Sequence, residues 1–300
     1  MTTVKRPPPT TDALLPRCRF PAAGTEVTCA VSGGADSLAL LVLAVAAGTR
    51  VTAVHVDHGL RAGSEDEAHV VADAARRFGA AFRAVRVEVA PGPNLEARAR
   101  VARYAALPAD VLTGHTADDQ AETVLLNLLR GAGLDGLAGM RSARRPLLGL
   151  RRSETGVLCA GLGLRSVVDP SNDSPAFRRN RVRHELLPLL GAIAERDVVP
   201  VLARQAEVLR DEADLMDALA ADLDPTDACA LAVAPVALAR RAVRRWLAGE
   251  HPPDGAAVER VLAVARGERR ACEVVPGLRV ERHQQRLRLV PGPIDRATPG

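Results

Sequence analysis

Residues 27–37 read VTCAVSGGADS, and this stretch decides the fold. An apolar run rich in β-branched residues ends in two glycines, and a long Ala/Leu/Val segment with the composition of a buried helix follows. Paired glycines let the backbone turn tightly beside a ligand, and the free amide groups at a helix start attract an anion. The sequence therefore predicts a strand, a phosphate-binding loop and a helix. The residues predicted to surround the phosphate are Ser32, Gly33, Gly34, Ala35, Asp36 and Ser37.

Asp36 carries a charge that opposes a phosphate, and two interpretations account for it. In the first, Asp36 holds a Mg²⁺ ion against the phosphate oxygens. In the second, residues 32–37 form a Ser/Gly turn that binds nothing, and Asp36 is the N-cap of the helix. The position of the whole hexamer between a strand and a helix favours the phosphate site, with Asp36 as a metal ligand.

Strand and helix signals alternate along the chain from residue 26. Apolar runs lie at 27–31, 51–56, 82–89 and 111–113, and segments of helical periodicity lie at 37–47, 64–78, 94–106 and 118–130. Strands linked by helical crossovers form parallel sheets, which bind ligands beyond the carboxyl ends of their strands. The predicted fold class is therefore α/β, a parallel-sheet domain followed by a smaller C-terminal α+β domain.

Polar residues follow the second and fourth predicted strands. Residues 54–61 read VHVDHGLR, and residues 114–119 read GHTADD. We expect them near the phosphate loop, because the strand ends of a parallel sheet share one edge. The alternative is a polar strand end, with Ser64 capping the next helix and Glu67 completing a capping box. The residues predicted at the nucleotide are His55, Asp57, His58, Gly114 and His115.

Three acids stand at the predicted start of the fourth of these helices: Asp118, Asp119 and Glu122. Asp119 and Glu122 share one helix face, because side chains three positions apart are neighbours on a helix. Acids in a first turn also interact favourably with the helix dipole, which is a purely structural alternative. Opposite a phosphate loop, however, they suit Mg²⁺ or an incoming ammonium group.

Several longer patterns resemble one family. Residues 114–140 fit GH..DDQ.ET....L.RG.G..GL..M, and residues 95–104 fit LE..AR..RY. The runs RPLL at 145–148, D.SN at 169–172 and RNRVR at 179–183 agree with them. Together with the loop, these motifs resemble the tRNA(Ile)-lysidine synthetases of the PP-loop ATP pyrophosphatase superfamily. The resemblance is dense over residues 26–190 and thinner over 195–290.

The resemblance implies a PP-loop domain of the adenine nucleotide alpha hydrolase type that uses ATP with Mg²⁺. It implies that free L-lysine and tRNA(Ile) with a CAU anticodon are the substrates. It also implies that the wobble cytidine is first adenylated, with release of pyrophosphate, and then becomes lysidine, with release of AMP. Two alternatives stay open: another PP-loop pyrophosphatase acting on a tRNA or a small acid, and a nucleotide-dependent RNA-binding module without turnover. The residues implied in catalysis or lysine binding are Asp118, Asp119, Glu122, Arg100, Arg179 and Arg181.

The chain organisation predicts a disordered tail at 1–12, a catalytic ATP-binding domain at 13–192, and a linker helix with a small tRNA-binding domain at 193–300. Residues 131–187 are rich in Gly, Pro and Arg and are predicted to be loops with one short αβ element, and the linker helix is predicted over 194–223. The net charge of +4 suits a polyanionic partner, although a basic surface is often only solvated. Lys5 is the single lysine among 40 basic residues, which excludes a Walker-type phosphate loop and a lysine Schiff base from the folded region. The residues predicted to contact tRNA are Arg183, Arg241, Arg244, Arg245 and Arg282.

The sequence shows no signal for a membrane or an oxidising compartment. No stretch of about 18 residues is both apolar and without charged side chains, and the N-terminus lacks the apolar segment of a signal peptide. The five cysteines are scattered without a CxxC pair, which argues against a disulfide framework or an iron–sulfur site. We therefore expect a cytoplasmic protein that spans no membrane. The sequence leaves a homodimer open.

Overall fold

A computed structural model describes residues 10–57, 64–87, 95–167, 174–249 and 253–292. The chain divides into two compact units, Met1–Arg210 and Asp211–Gly300. The division falls later than the boundary predicted near residue 192, inside a long helix. The first half of that helix belongs to the first unit, because its Val199 packs in a buried cluster with Ala117.

The first unit is built on a four-stranded parallel sheet, which confirms the predicted α/β class. The strands are β1 (Glu26–Ala30), β2 (Arg50–Asp57), β3 (Ala81–Arg86) and β4 (Leu112–Thr113), in the spatial order β3-β2-β1-β4. Because β2 and β4 pair with opposite edges of β1, the strand order reverses there. The crevice beyond the carboxyl ends of β1 and β4 is where such sheets bind ligands.

The helices that connect these strands lie where the sequence predicts them. They are α2 (Ala35–Ala46), α3 (Ser64–Phe78), α4 (Leu95–Ala105) and α5 (Ala117–Leu129). A short helix, α1 (Thr11–Leu14), precedes β1, so helical structure begins within the stretch predicted as a disordered tail. The rest of that stretch, up to residue 9, lies outside the described residues.

Residues 131–187 contain more helix than the loop-rich prediction indicates. The helices after α5 are α6 (Leu134–Leu137), α7 (Arg152–Gly161), α8 (Arg178–Arg181), a π-helical turn (Val182–Leu186), α9 (Leu187–Ala194) and α10 (Val199–Leu219). Helix α7 starts with a capping box, in which the Arg151 backbone N–H donates to Glu154 at 2.8 Å. The helix predicted over 194–223 is shorter in the structure, where α10 begins only at Val199, because Glu195 adopts a left-handed conformation with φ of 50° and ends α9.

Helix α2 anchors the first unit. Leu38, Leu40, Leu41 and Leu43 are completely buried, because α2 packs against both the sheet and α7. A helix that is apolar on every side belongs in a protein interior. The loop that precedes α2 is therefore fixed at one end by the core of the unit.

The second unit combines helices with an antiparallel sheet, as predicted. Its elements after α10 are α11 (Ala228–Val233), α12 (Val236–Trp246), α13 (Gly255–Ala265), β5 (Ala271–Val275), β6 (Leu278–His283) and β7 (Arg286–Pro291), with the strands in the order β5-β6-β7. Cys272, Val280 and Leu287 from the sheet pack with Val258 and Val261 of α13. None of the described helices is both long and apolar enough to cross a membrane.

Candidate active site

The phosphate loop lies between β1 and α2, as the sequence predicts. Gly33 has φ of 88°, a conformation that favours glycine. The Ser37 hydroxyl accepts from the Ser32 backbone N–H at 3.1 Å and donates to the Gly34 carbonyl oxygen at 2.8 Å, which closes the loop. The N-cap residue of α2 is Gly34, whereas Asp36 lies in the first turn, so the N-cap interpretation of Asp36 is wrong.

The end of β4 approaches this loop closely. A Cβ atom on Gly114 would lie 2.6 Å from the Asp36 carbonyl oxygen, so only glycine fits there without a shift of the backbone. This contact brings the predicted motif after β4 to the phosphate loop. It also sets the start of α5 beside the start of α2.

Gly114→Ala is expected to push β4 away from the phosphate loop. The added methyl group meets backbone atoms, and such overpacking costs about 1–3 kcal/mol of unfolding free energy. We expect weaker ATP binding as well, measured by calorimetry next to denaturant unfolding. Gly156→Ala in α7 is the control, because a Cβ there meets no atom within 4 Å. Unchanged ATP affinity and stability in Gly114→Ala would contradict the close approach.

The predicted nucleotide residues after β2 and β4 differ in their surroundings. His55 is only 2% exposed, and its Nδ1 lies 3.0 Å from the Val31 carbonyl oxygen, so the ring braces β2 against β1 below the loop. Asp57 is half-buried at the end of β2, and His58 lies outside the described residues. The His115 Nδ1 atom lies 2.8 Å from the Thr113 hydroxyl.

A buried cluster of alternating charges lies next to the phosphate loop, and we name it the acid–arginine cluster. Thr116 caps α5 in a capping box with Asp119, which turns Asp119 and Glu122 inward. Glu122 is completely buried, and Asp119 is 8% exposed. Because acids are rarely buried without partners, the arginines around them are part of the site. The cluster consists of Asp36, Asp119, Glu122, Arg152, Arg179 and Arg183.

Arg152, the first residue of α7, joins all three acids. Its Nε lies 3.3 Å from Asp36 Oδ2, its Nη2 2.9 Å from Asp119 Oδ1 and its Nη1 3.2 Å from Glu122 Oε1. One planar guanidinium group thus links the phosphate loop to Asp119 and Glu122 of α5. Thr155 on α7 also donates a hydrogen bond to Asp36 Oδ1.

Arg179 and Arg183 complete the cluster from the other side. Arg179 donates to Glu122 Oε2 at 2.6 Å and to Asp119 Oδ1 at 2.9 Å. Arg183 donates to Glu122 Oε1 at 2.7 Å, so the structure places this predicted tRNA contact in the cluster. Arg181 is not in the cluster, because it pairs with Glu185 on the exposed side of the turn. The side chain of Arg100 lies outside the described residues.

The pKa values of the acids reflect these partners. Burial raises the pKa of Asp36 above its usual value, although the Thr155 hydrogen bond and the Arg152 charge act against it. Burial acts the same way on Asp119, but the charges of Arg152 and Arg179 outweigh it and hold that pKa below its usual value. Asp119 is therefore ionised at neutral pH, and its charge is paired with Arg152 and Arg179.

Asp118 has different hydrogen-bond partners from Asp119. It accepts from Arg151 Nη2 at 3.0 Å and from the Arg152 backbone N–H at 2.8 Å. Burial acts to raise the pKa of Asp118, but these hydrogen bonds hold it below its usual value. Asp118 therefore braces the start of α7 and stands outside the acid–arginine cluster.

A cavity of about 310 Å³ opens beside the cluster. A volume of this size is at the lower end for small-molecule sites. Its lining includes apolar side chains and charged side chains of both signs, which suits a ligand with an apolar stem and charged ends. The lining residues are Asp118, Glu122, Arg151, Arg152, Arg183, Leu187, Pro188, Gly191, Asp197, Val198 and Val199.

The site contains residues that sequence reasoning missed. Arg152, Thr155 and Arg151 lie in a stretch predicted as loops, and the arginine-rich composition hides them. The nearest sequence signal was the RPLL motif at 145–148, which ends a few residues before α7 and whose Leu147 is completely buried. Among the described residues, no three His, Cys, Asp or Glu side chains group into a metal site.

The predicted tRNA-contacting arginines of the second unit are not equivalent. Arg241 is 10% exposed and donates to both carboxylate oxygens of Asp217, at 2.7 and 2.8 Å, so it supports the fold of the unit. Arg282 donates to the Ala265 carbonyl oxygen at 2.8 Å. Arg244 is half-buried, and Arg245 is exposed with one hydrogen bond to the Asp217 carbonyl oxygen.

The family model of the PP-loop domain matches residues 13–190. The chain is 49% identical over 245 residues to a tRNA(Ile)-lysidine synthase from Nocardia farcinica, covering 76% of this chain and 77% of that protein. It is 46% identical over 239 residues to one from Rhodococcus erythropolis, covering 74% of each. Among solved structures, the U34-tRNA thiolase NcsA from Methanococcus maripaludis aligns over 67% of this chain and 78% of its own at a TM-score of 0.54; at 18% identity this shows a shared fold alone.

Proposed function

The chain belongs to the tRNA(Ile)-lysidine synthase family of PP-loop enzymes, and we propose that it joins free lysine to the wobble cytidine of the CAU anticodon of tRNA(Ile). ATP first adenylates the cytidine with release of pyrophosphate, and the lysine ε-amine then displaces AMP. The observation that carries the proposal is Arg152, which joins the acids of α5 to Asp36 of the phosphate loop. A site for a cation thus lies beside a site for ATP.

The adenylation step follows from the phosphate loop. The carbonyl oxygen on the cytosine ring is a poor leaving group, and adenylation makes it a good one. The backbone amides at the start of α2, with the Ser32 and Ser37 hydroxyls, stabilise the charge that develops on pyrophosphate. Mg²⁺ is commonly held by one or two carboxylates together with substrate phosphates, and Asp36 is the carboxylate of this loop. The Mg²⁺ ion would neutralise phosphate charge.

The lysine step uses the acid–arginine cluster and its cavity. The lysine ammonium group fits the carboxylate of Glu122, which lines the cavity together with Asp118. Asp119 is the next acid, because it shares Arg152 and Arg179 with Glu122. The apolar stem fits the wall formed by Leu187 and Val199. A guanidinium group of the same cavity, from Arg151 or Arg183, is suited to the lysine α-carboxylate.

The order of product release tests this function. Purified protein is incubated with ATP and a panel of tRNA transcripts, with and without lysine. Pyrophosphate release is expected only with transcripts that carry the CAU anticodon, and AMP release only when lysine is also present. Equal pyrophosphate release with a uridine at the wobble position would indicate another PP-loop pyrophosphatase. No pyrophosphate with any transcript would indicate a binding module without turnover.

The basic residues of the second unit are proposed to hold the tRNA backbone. For the double variant Arg244→Ala/Arg245→Ala, we expect weaker tRNA binding and a salt slope reduced by about 1 for each lost phosphate contact. Binding is measured at several salt concentrations, together with ATP binding, which should not change. Arg240→Ala is the control, because Arg240 is exposed but paired with Glu259. An unchanged salt slope in the double variant would show that Arg244 and Arg245 of α12 do not contact tRNA phosphates.

A further inference from the structure

Arg152 occupies the acids that the proposed function assigns to the lysine ammonium group. Its guanidinium lies within 3.3 Å of Asp36 Oδ2 and 2.9 Å of Asp119 Oδ1, and it also reaches Glu122. Two of its three carboxylate partners are thus Asp119 and Glu122 of α5. A lysine ammonium group cannot use the same oxygen positions while Arg152 stays there.

The charges of the cluster balance in this state. Asp36, Asp119 and Glu122 contribute three negative charges, and Arg152, Arg179 and Arg183 contribute three positive charges. An added ammonium group would therefore enter a neutral cluster whose acids already have partners. Departure of one guanidinium leaves a net charge of minus one, which matches one ammonium group.

Arg152 is the arginine best placed to leave. It reaches Asp36 in the first turn of α2, directly beside the loop that receives the phosphates, and that contact is the longest of its three. Its side chain is 31% exposed, similar to the 33% of Arg179 and above the 23% of Arg183, so the contact with Asp36 is what distinguishes Arg152. Arg179 and Arg183 remain on Glu122 after it leaves, so the buried acid keeps two partners. Guanidinium groups form bidentate hydrogen bonds with phosphate as they do with carboxylate, so a phosphate can replace the carboxylate partners of Arg152.

We propose that Arg152 couples the two substrate sites: without nucleotide its guanidinium blocks the acids of α5, and the ATP phosphates draw it away, so that lysine binds tightly only when ATP is bound. This proposal rests on the proposed function and adds an order of binding to it. Arg152 is a positioning residue in this scheme. Because coupling between two ligands is reciprocal, lysine strengthens ATP binding by the same factor.

Calorimetry of lysine binding tests the coupling. Lysine is titrated into the full-length protein with the CAU transcript present throughout, with and without a non-hydrolysable ATP analogue. We expect the analogue to raise the lysine affinity of the wild-type protein by about 5–150-fold, the usual range of coupling between sites. In Arg152→Gln we expect a higher lysine affinity without nucleotide, and we expect the analogue to change that affinity by a factor close to one. Arg152→Lys replaces the Gln variant if that variant does not fold. Because the lysine ammonium group meets fewer carboxylates at once, the analogue should raise the lysine affinity of Arg152→Lys by a factor between those of the wild-type protein and one.

Arg17→Gln is the matched control. Arg17 pairs with Glu154 of α7 and makes no contact with the acids of the cluster, so the coupling should match that of the wild-type protein. Equal lysine affinity with and without the analogue would overturn the proposal, and so would a coupling factor that survives in both Arg152 variants. Failure of lysine to bind under every condition would instead count against the proposed function itself.

Discussion

Asp36→Asn is expected to lower the rate of pyrophosphate release by about 100–1,000-fold, the usual cost of removing one group that stabilises charge in the transition state. The carboxylate lies in the first turn of α2, beside the loop amides, and is the proposed Mg²⁺ ligand. Asparagine keeps the size of the side chain but removes its charge. Pyrophosphate release and circular dichroism of the same preparation measure the effect and the fold.

The fold of Asp36→Asn is expected to survive because of the direction of the Asp36 pKa. Burial raises that pKa in the folded protein. An acid whose folded pKa is raised contributes stability below its unfolded pKa and loses that contribution as the pH rises through the folded pKa. The stability contributed by protonated Asp36 is therefore lost as the pH rises, and asparagine, which stays neutral at every pH, should not lower the thermal midpoint.

Thr155→Val is the control for Asp36. It removes the hydrogen bond to Asp36 Oδ1 and leaves the carboxylate in place, so turnover should fall far less. Wild-type turnover in Asp36→Asn would show that Asp36 holds no metal ion at the phosphates. A low turnover accompanied by an unfolded spectrum would mean that Asp36 has only a structural role.

Glu122→Gln is expected to raise the lysine KM by at least about tenfold, since a charge-assisted hydrogen bond contributes about 1.5–3 kcal/mol. It should also lower the free energy of unfolding by about 3 kcal/mol, the lower end for breaking a buried ion pair, since the three arginines around it are partly exposed. Adenylation of tRNA without lysine should fall much less. Steady-state kinetics and denaturant unfolding measure the two effects.

Glu185→Gln is the matched control for Glu122. Glu185 pairs with Arg181 on the surface, and we expect no measurable change in stability or in lysine KM. If adenylation collapsed in Glu122→Gln while the lysine KM stayed constant, Glu122 would serve the nucleotide. The ammonium group would then bind Asp119 or Asp118.

The sequence predicted those parts of the site that lie in continuous motifs. The phosphate loop at 32–37 follows from two glycines between an apolar strand and an apolar helix, and these local features also decide the observed structure. Asp119 and Glu122 share a face because α5 is a regular helix. Arg179 and Arg183 lie one helical turn apart, which turns them together toward Glu122 and turns Arg181 away.

The parts that sequence reasoning missed depend on contacts between distant segments. Arg152 meets Asp36 only because α7 packs against α2, and no local pattern encodes that contact. Arg241 was predicted on a basic surface, but its ion pair with Asp217 on α10 becomes visible only in the folded unit. The predicted helix over 194–223 was too long, because the left-handed residue that ends α9 is Glu195. A glycine, the usual sequence signal of such a helix end, is absent at that position.

The nucleoside at the wobble position gives the most direct test of the proposed function. A CAU transcript of tRNA(Ile) is incubated with the purified protein, ATP, Mg²⁺ and isotope-labelled lysine, then digested to nucleosides and analysed by mass spectrometry. The function predicts that the wobble cytidine is replaced by a nucleoside heavier by one labelled lysine less one water. An unmodified wobble cytidine in the presence of ATP and lysine, from a protein that releases pyrophosphate with that transcript, would contradict it.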